Sequence, residues 1–233
     1  MCAFASASAD MQLPQETWEL KAARDAMVSE QIEHRGVRDL RVLDAIRKLP
    51  RHIFVNPVLW REAYSDSPLP IGENQTISQP YIVAFMLQAL AIEPSHRVLE
   101  IGTGTGYEAA LLGMLAAEVF TVERNARLAA AAERNLRELG LTNVNVVTAD
   151  GSRGLAEHAP YDRIIGAAAA PSLPPSLVEQ LVEGGRMLLP IGDYSEQWLY
   201  IVRKMNGQAS LQRIAAVRFV PMVGEAANPP RSS

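Results

Sequence analysis

Seven consecutive residues, Glu100-Ile101-Gly102-Thr103-Gly104-Thr105-Gly106, carry the densest chemical information in the chain. They join a short apolar run to a helical pattern. Glycines at such a junction let the main chain turn sharply and let a ligand approach it closely. The helix start that follows leaves backbone N–H groups free. Glu123 stands 21 residues beyond Gly102, at the end of the next apolar run, where a carboxylate can accept hydrogen bonds from ribose hydroxyls. The loop also separates the nucleotide cofactors from one another. A dinucleotide fingerprint reads Gly-x-Gly-x-x-Gly and seats a pyrophosphate on the helix N-terminus. In this loop the third glycine comes one position early, and an acid stands two residues before the first. That acid would repel a phosphate and attract the cationic methionine end of S-adenosylmethionine, so the pattern predicts the methyl donor and not NAD. No Gly-Lys-Ser/Thr follows, which excludes a Walker-type phosphate loop. Asp150-Gly151 closes a third apolar run in register with Gly102 and Glu123. Taken alone, Asp150 is a turn residue. At the carboxyl end of a strand it could hold an adenine amino group.

These residues need elements to position them. Val98–Ile101, Val119–Val122, Val144–Thr148, Arg163–Ile165 and Arg186–Leu189 read as strands. Helical patterns over 107–117, 125–139 and 174–181 alternate with them. Strand–helix alternation predicts an α/β fold, a doubly wound, Rossmann-like, mostly parallel sheet. Trp198–Arg203 and Ser210–Val220 flank Asn206-Gly207, the strongest short hairpin signal, so antiparallel strands should close the sheet. Ahead of this core, Thr17 and Gly36 read as the cap and stop of a helix with Leu20, Ala23, Met27 and Ile32 on one face. A second helix runs from Asp39 to Leu49, with Leu43 and Ile46 inward and Pro50 as its stop. Segment 51–80 has little periodicity and reads as a long connection of the kind that is often functional. Helical pattern resumes over 81–91. The expected organisation is a disordered tail over 1–15, N-terminal helices with the active-site loop over 16–96, and a cofactor core over 97–233, within one compact domain.

Bulk properties narrow the function classes. Apolar residues make up 48% and charged residues 21% of the 233, and the net charge is −4. That is ordinary globular composition with too little clustered Lys and Arg for nucleic-acid or anionic-membrane binding. The single cysteine, Cys2, precludes an intrachain disulfide or a Cys-based zinc site. The four histidines show no ligand spacing, so no metal is expected. The N-terminus lacks the basic and apolar regions of a signal peptide, and the cytoplasm is the expected compartment.

One further stretch, Pro70-Ile71-Gly72-Glu73-Asn74-Gln75-Thr76-Ile77-Ser78-Gln79-Pro80-Tyr81, lies in the long connection. Together with Val98–Gly106, Val122-Glu123-Arg124, Asp150-Gly151 and Val217–Val220 before Pro221, it resembles the protein-L-isoaspartate O-methyltransferase family over residues 20–223. The resemblance implies methyl transfer from S-adenosylmethionine, with S-adenosylhomocysteine as product, to isoaspartyl residues of damaged proteins and peptides, by a monomeric enzyme. By motif, Ser78 corresponds to the active-site serine, and Gln75, Thr76 and Ile77 line the transfer pocket. Glu100, Gly102, Thr103 and Gly104 surround the methionine part of the donor. Glu123 with Arg124 would bind the ribose, and Asp150 with Gly151 the adenine. Two departures stand out: Asn74 where members commonly carry Gly, and Gly166-Ala167-Ala168-Ala169 where many have Val-Thr-Ala-Ala. Asn tolerates a left-handed turn, whereas the second departure removes a hydroxyl. Rival readings are a methyltransferase of the same fold acting on a small molecule or RNA, and a catalytically silent donor-binding module.

Overall fold

The computed structural model describes residues 16–227; the expected tail over 1–15, with Cys2, lies outside them. Helix α1 (Trp18–Ala26) begins at Thr17, whose side chain accepts from the Leu20 N–H. The single long helix expected to Arg35 instead loosens into a π-helical stretch, Met27–Ile32, and a 3-10 turn, Glu33–Arg35, before Gly36 stops it at φ +98°. The wider turn shifts the buried face by a residue. Ala23 is therefore exposed, while Arg24 is buried and paired with Glu16, and Met27, Val28 and Ile32 enter the core. Helix α2 (Leu40–Lys48) is capped by Asp39, as its sequence predicts.

Segment 51–80 is more ordered than its composition suggests. Two 3-10 turns, Arg51–Phe54 and Pro57–Leu59, lead to a hairpin of β1 (Leu69–Gly72) and β2 (Gln75–Ile77). Its turn holds Glu73 at φ 51° and Asn74 at φ 56°, the paired left-handed geometry that matches strand twist in tight hairpins. Asn74 thus occupies the left-handed conformation expected of it. Helix α3 (Pro80–Leu90) follows.

The core alternates β3 (Arg97–Ile101), α4 (Tyr107–Leu115), β4 (Glu118–Glu123), α5 (Ala126–Glu138), β5 (Val144–Thr148), β6 (Tyr161–Gly166), α6 (Pro175–Glu179), β7 (Leu181–Gly192), β8 (Gln197–Met205) and β9 (Gln208–Ala216). The seven-stranded sheet has the order β5-β4-β3-β6-β7-β8-β9. Strands β3 to β7 pair in parallel, and β8 and β9 add antiparallel. Asn206 (φ 52°) and Gly207 (φ 72°) form the last hairpin turn, as the sequence predicts. Strand β7 is longer than the expected 186–189: Leu181, read as the end of a helix, pairs with Tyr161, and a register shift absorbs Gly184-Gly185. Such a bulge lets a strand continue through glycines that would otherwise mark its start.

The chain leaves β3 toward β4 on one side and later returns to β6 on the other. This places the topological switch point, where ligands sit in open α/β sheets, between the loops after β3 and β6.

Candidate active site

Gly102 leaves β3 at φ 99°, and its N–H is held by the Val122 carbonyl at 2.9 Å. Gly104 (φ 56°) runs beneath the hairpin so closely that a Cβ there would lie 3.1 Å from Ile71 Cδ1. Glu123, at the end of β4, curls back onto this loop. One carboxylate oxygen accepts from Gly104 N–H and the other from Asn125 N–H, each at 2.9 Å. Each oxygen keeps a further lone pair for a ligand hydroxyl. Above these groups opens a cavity of about 420 Å³, lined by Gln75, Gly102, Gly104, Glu123, Arg124 and Gly151 among others. That volume lies within the range of small-molecule and cofactor sites.

A pit of about 40 Å³ adjoins this cavity and shares Ile71, Thr76, Gly102, Gly104 and Ala167 with it. Ile77, Ser78, Thr103, Glu100 and Glu108 complete much of its wall. Glu100 is fully buried. Its Oε2 accepts from the Thr121 hydroxyl, which in turn meets the Thr103 hydroxyl at 2.6 Å. Its Oε1 has no partner, and neither does Oε1 of Glu108, in the first turn of α4. Burial, then the neighbouring Glu108 and Glu123, push the Glu100 carboxyl well above the usual carboxylate range. Burial pushes Glu108 up to about 8. Unsatisfied buried carboxyl oxygens at one end of a nucleoside-sized cavity fit a cofactor whose other end is cationic.

On the far side of Ser78 runs a groove of about 760 Å³, walled by Gln79, Ile82, Tyr194 and Val217–Pro221. Thr76 and Ala167 border all three spaces, and Ser78 borders the pit and the groove. Ser78 is held by its backbone. Its carbonyl accepts from Arg51 Nη2 at 2.8 Å, while Arg51 Nε donates to the Ala63 carbonyl at 2.9 Å. Arg51 is completely buried, so this anchor is shielded from solvent.

Asp150 has a different setting. Its side chain is exposed and accepts from Ser152 N–H at 2.9 Å and Glu225 N–H at 2.8 Å. Burial works against ionisation, but the hydrogen bonds from Glu225 and Ser152 outweigh it and hold the carboxyl below its usual range. Gly151 and Ser152 line the cavity, and Asp150 ties down the C-terminal segment whose Val220–Val223 form another wall. Across the opening, Glu73 at the hairpin tip accepts from Asn125 Nδ2 at 3.0 Å and Arg127 Nη1 at 3.1 Å.

Several of these residues carry no strong sequence signal. Glu108 could have been singled out as the one acid in an Ala/Leu-rich helix. Arg51, Ser152 and the Met222-Val223 end of the C-terminal wall depend on contacts between distant segments. At the start of the 166–169 departure, a Cβ on Gly166 would lie 2.5 Å from Leu189 Cδ1, so a larger residue there would require that side chain to move. Ala167, the position of the missing hydroxyl, borders the three spaces together with Thr76. Among the described residues, no group of His, Cys, Asp or Glu is arranged to hold a metal, and no helix is long and apolar enough to cross a membrane.

Known proteins bear on this geometry. Residues 22–227 match the family model described as protein-L-isoaspartate(D-aspartate) O-methyltransferase. A protein-L-isoaspartate O-methyltransferase of Koribacter versatilis is 54% identical over 201 residues, covering 86% of this chain and 90% of its own. One from Geobacter metallireducens is 49% identical over 204 residues, covering 87% and 94%. A solved protein-L-isoaspartate O-methyltransferase superposes with a TM-score of 0.79 at 29% identity, over 86% of this chain and 66% of that longer one. A β-aspartate methyltransferase from Plasmodium falciparum, solved with S-adenosyl-L-homocysteine, shares the fold at a TM-score of 0.75 and 24% identity, over 86% and 98%. With the switch-point cavity, the acid-floored pit and the Ser78 partition in place, these matches show that the chain belongs to the protein-L-isoaspartate(D-aspartate) O-methyltransferase family.

Proposed function

We propose that the chain performs its family's reaction, methyl transfer from S-adenosylmethionine to the side-chain carboxylate of L-isoaspartyl residues in damaged proteins, with the donor in the switch-point cavity and the acceptor peptide in the groove. The observation that carries this reading is the partition itself: Thr76 and Ala167 border both spaces, and Ser78 stands between the groove and the pit that opens off the donor cavity. Glu123 and Arg124 hold the ribose and Gly151 with Ser152 faces the base, Asp150 acting on this side through the segment it tethers. Gln75, Thr76 and Ile77 line the path from donor to acceptor, and Glu100, Gly102, Thr103 and Gly104 surround the methionine end.

The bound donor supplies a methyl group on a sulfonium; the S–CH3 bond breaks as an O–CH3 bond forms, and sulfur keeps the electron pair. A free aspartyl-type carboxyl titrates at about 3.9, so the acceptor is ionised at neutral pH and the chain need not remove a proton. Its work is alignment, which can supply roughly 7–11 kcal/mol of such a barrier. Ser78, fixed through Arg51, donates a hydrogen bond to the acceptor carboxylate and sets its angle. Among the groove's lining residues the one charged side chain is Arg218, which favours a peptide acceptor over a nucleic acid. Since one chain lines both spaces, we take the monomer as the working unit, and the cytoplasm, expected from the sequence, as its compartment.

The deciding experiment offers labelled S-adenosylmethionine with two peptides that differ only in one isoaspartate against aspartate. Label on the isoaspartyl peptide alone is the expected result. Donor binding with transfer to neither peptide would overturn the acceptor assignment.

A further inference from the structure

Glu108 has no place in the motifs that assign the donor site, yet it shares a pit with Glu100. The two carboxyl groups come from different elements, β3 and α4, and are 0% and 8% exposed. Each presents an Oε1 that no group among the described residues satisfies. Both line the small pit that opens off the donor cavity beside Ser78. Two buried acids facing one space cannot both ionise cheaply, because each charge is desolvated and repels the other. Among the described residues, no lysine or arginine lines this pit to relieve them. Glu123 of β4 adds to the negative charge felt by Glu100. The buried cation Arg51 donates through Nε and Nη2 to the carbonyls of Ala63 and Ser78, with its guanidinium 5.0 Å from the Tyr107 ring, and its Nη1 meets no hydrogen-bond partner among the described residues. Tyr107 itself is neutral at ordinary pH, its hydroxyl pushed further up by burial.

We propose that Glu108 is a second carboxyl group of the donor site, and that the Glu100–Glu108 pair holds a shared proton until the cationic methionine end of the donor enters and displaces it to solvent. This rests on the donor assignment above and adds a residue and a proton to it. Electrostatic complementarity of this kind selects a charged cofactor over a neutral one of the same shape. The Thr103–Thr121–Glu100 hydroxyl chain fixes Glu100 Oε2. Its free Oε1 and that of Glu108 then remain for the cation.

Titration calorimetry of the full chain near neutral pH, in buffers of different ionisation enthalpy, tests this by counting protons released on binding. The wild type should release up to about one proton per donor bound, as linkage requires when binding lowers a raised pKa. Glu108→Gln, which keeps shape and removes one of the two acids, should reduce the release to what Glu100 alone supplies and weaken S-adenosylmethionine about tenfold. Glu108→Asp should retain a measurable release. Running S-adenosylhomocysteine in parallel identifies the cation: release with both ligands points to the ammonium, release with the donor alone to the sulfonium. Donor binding with no proton released by the wild type, or with the same release from Glu108→Gln, would overturn the proposal. Failure of the wild type to bind either ligand would instead remove the donor assignment on which it stands. Thermal melting of each variant without ligand confirms that the fold is kept.

Discussion

At the scale of single residues, the groups that touch the reacting carboxylate should separate from those that hold the donor. Ser78 faces the pit and the groove but does not line the donor cavity. A hydrogen bond to a charged group contributes about 1.5–3 kcal/mol. Ser78→Ala is therefore expected to lower kcat by roughly ten- to a hundredfold with the donor Kd nearly unchanged, measured by peptide methylation and calorimetry. Equal turnover in the variant would take Ser78 out of the reaction. Glu123→Ala should do the reverse. It removes a ligand for the ribose and also frees the N–H groups of Gly104 and Asn125, so donor Kd should rise by at least about tenfold, and an unchanged Kd would contradict the assignment. The glycine loop and Glu123 were legible in the sequence because their chemistry depends on spacing within one β-α-β unit. Glu108 and Arg51 were not. Their importance comes from what burial does to a charge, and burial is decided by segments far away in the chain.

At the scale of elements, the β1–β2 hairpin is the piece that composition concealed. Pro70 and a non-glycine turn argue against a strand, yet the antiparallel pairing of Leu69 with Ile77 and Pro70 with Thr76 forms it. A two-stranded ribbon on its own is marginal. Packing of Ile71 over Gly104 and the Glu73 contacts with Asn125 and Arg127 hold it across the donor cavity. Hydrogen bonds from Asn125 and then Arg127 keep the Glu73 carboxyl below its usual range. The contact is exposed, so its effect should be modest and salt-sensitive. Arg127→Ala is expected to speed S-adenosylhomocysteine release about two- to fivefold in stopped-flow displacement at low salt, with the difference from wild type fading at high salt. A difference that persisted undiminished in high salt would mean that Arg127 acts by some route other than this ion pair. The core strands, by contrast, were readable because each is an apolar run bounded by turn residues. Where the structure departs from the pattern, at the π-helical stretch after Ala26 and at the start of β7, where a step of five residues from Leu181 to Arg186 faces a step of two from Tyr161 to Arg163, added residues changed the register without changing the composition.

For the molecule as a whole, the N-terminal helices and the cofactor core share one hydrophobic cluster, in which Met27, Ile46 and Phe54 join Leu87, Leu111 and Leu188. That continuity predicts one cooperative unfolding transition, the same by tryptophan fluorescence and far-ultraviolet circular dichroism. The pH dependence of its midpoint follows from the buried acids. Glu108 titrates at about 8 in the fold, against an ordinary value of 4.5. Between those values the folded chain keeps a proton that the unfolded chain has lost. Stability from this group is therefore fully present below the unfolded pKa and falls as pH rises toward 8, by about 1.4 kcal/mol per pH unit where the difference is a whole proton. Asp150 and Glu73, held below their ordinary values, act in a separate window: their contribution is lost as pH falls below about 4. Denaturant titrations of the donor-free protein from about pH 7 to about pH 8, above the range in which His52 and His96, pushed down by burial, act in the opposite direction, should thus show stability declining toward the alkaline side. Glu108→Gln should make that decline shallower, leaving the share of the buried Glu100 and the acid limb in place. A wild-type decline that survives the substitution unchanged would show that Glu108 contributes none of it, and its share in the proton assigned to the Glu100–Glu108 pair would fall with it.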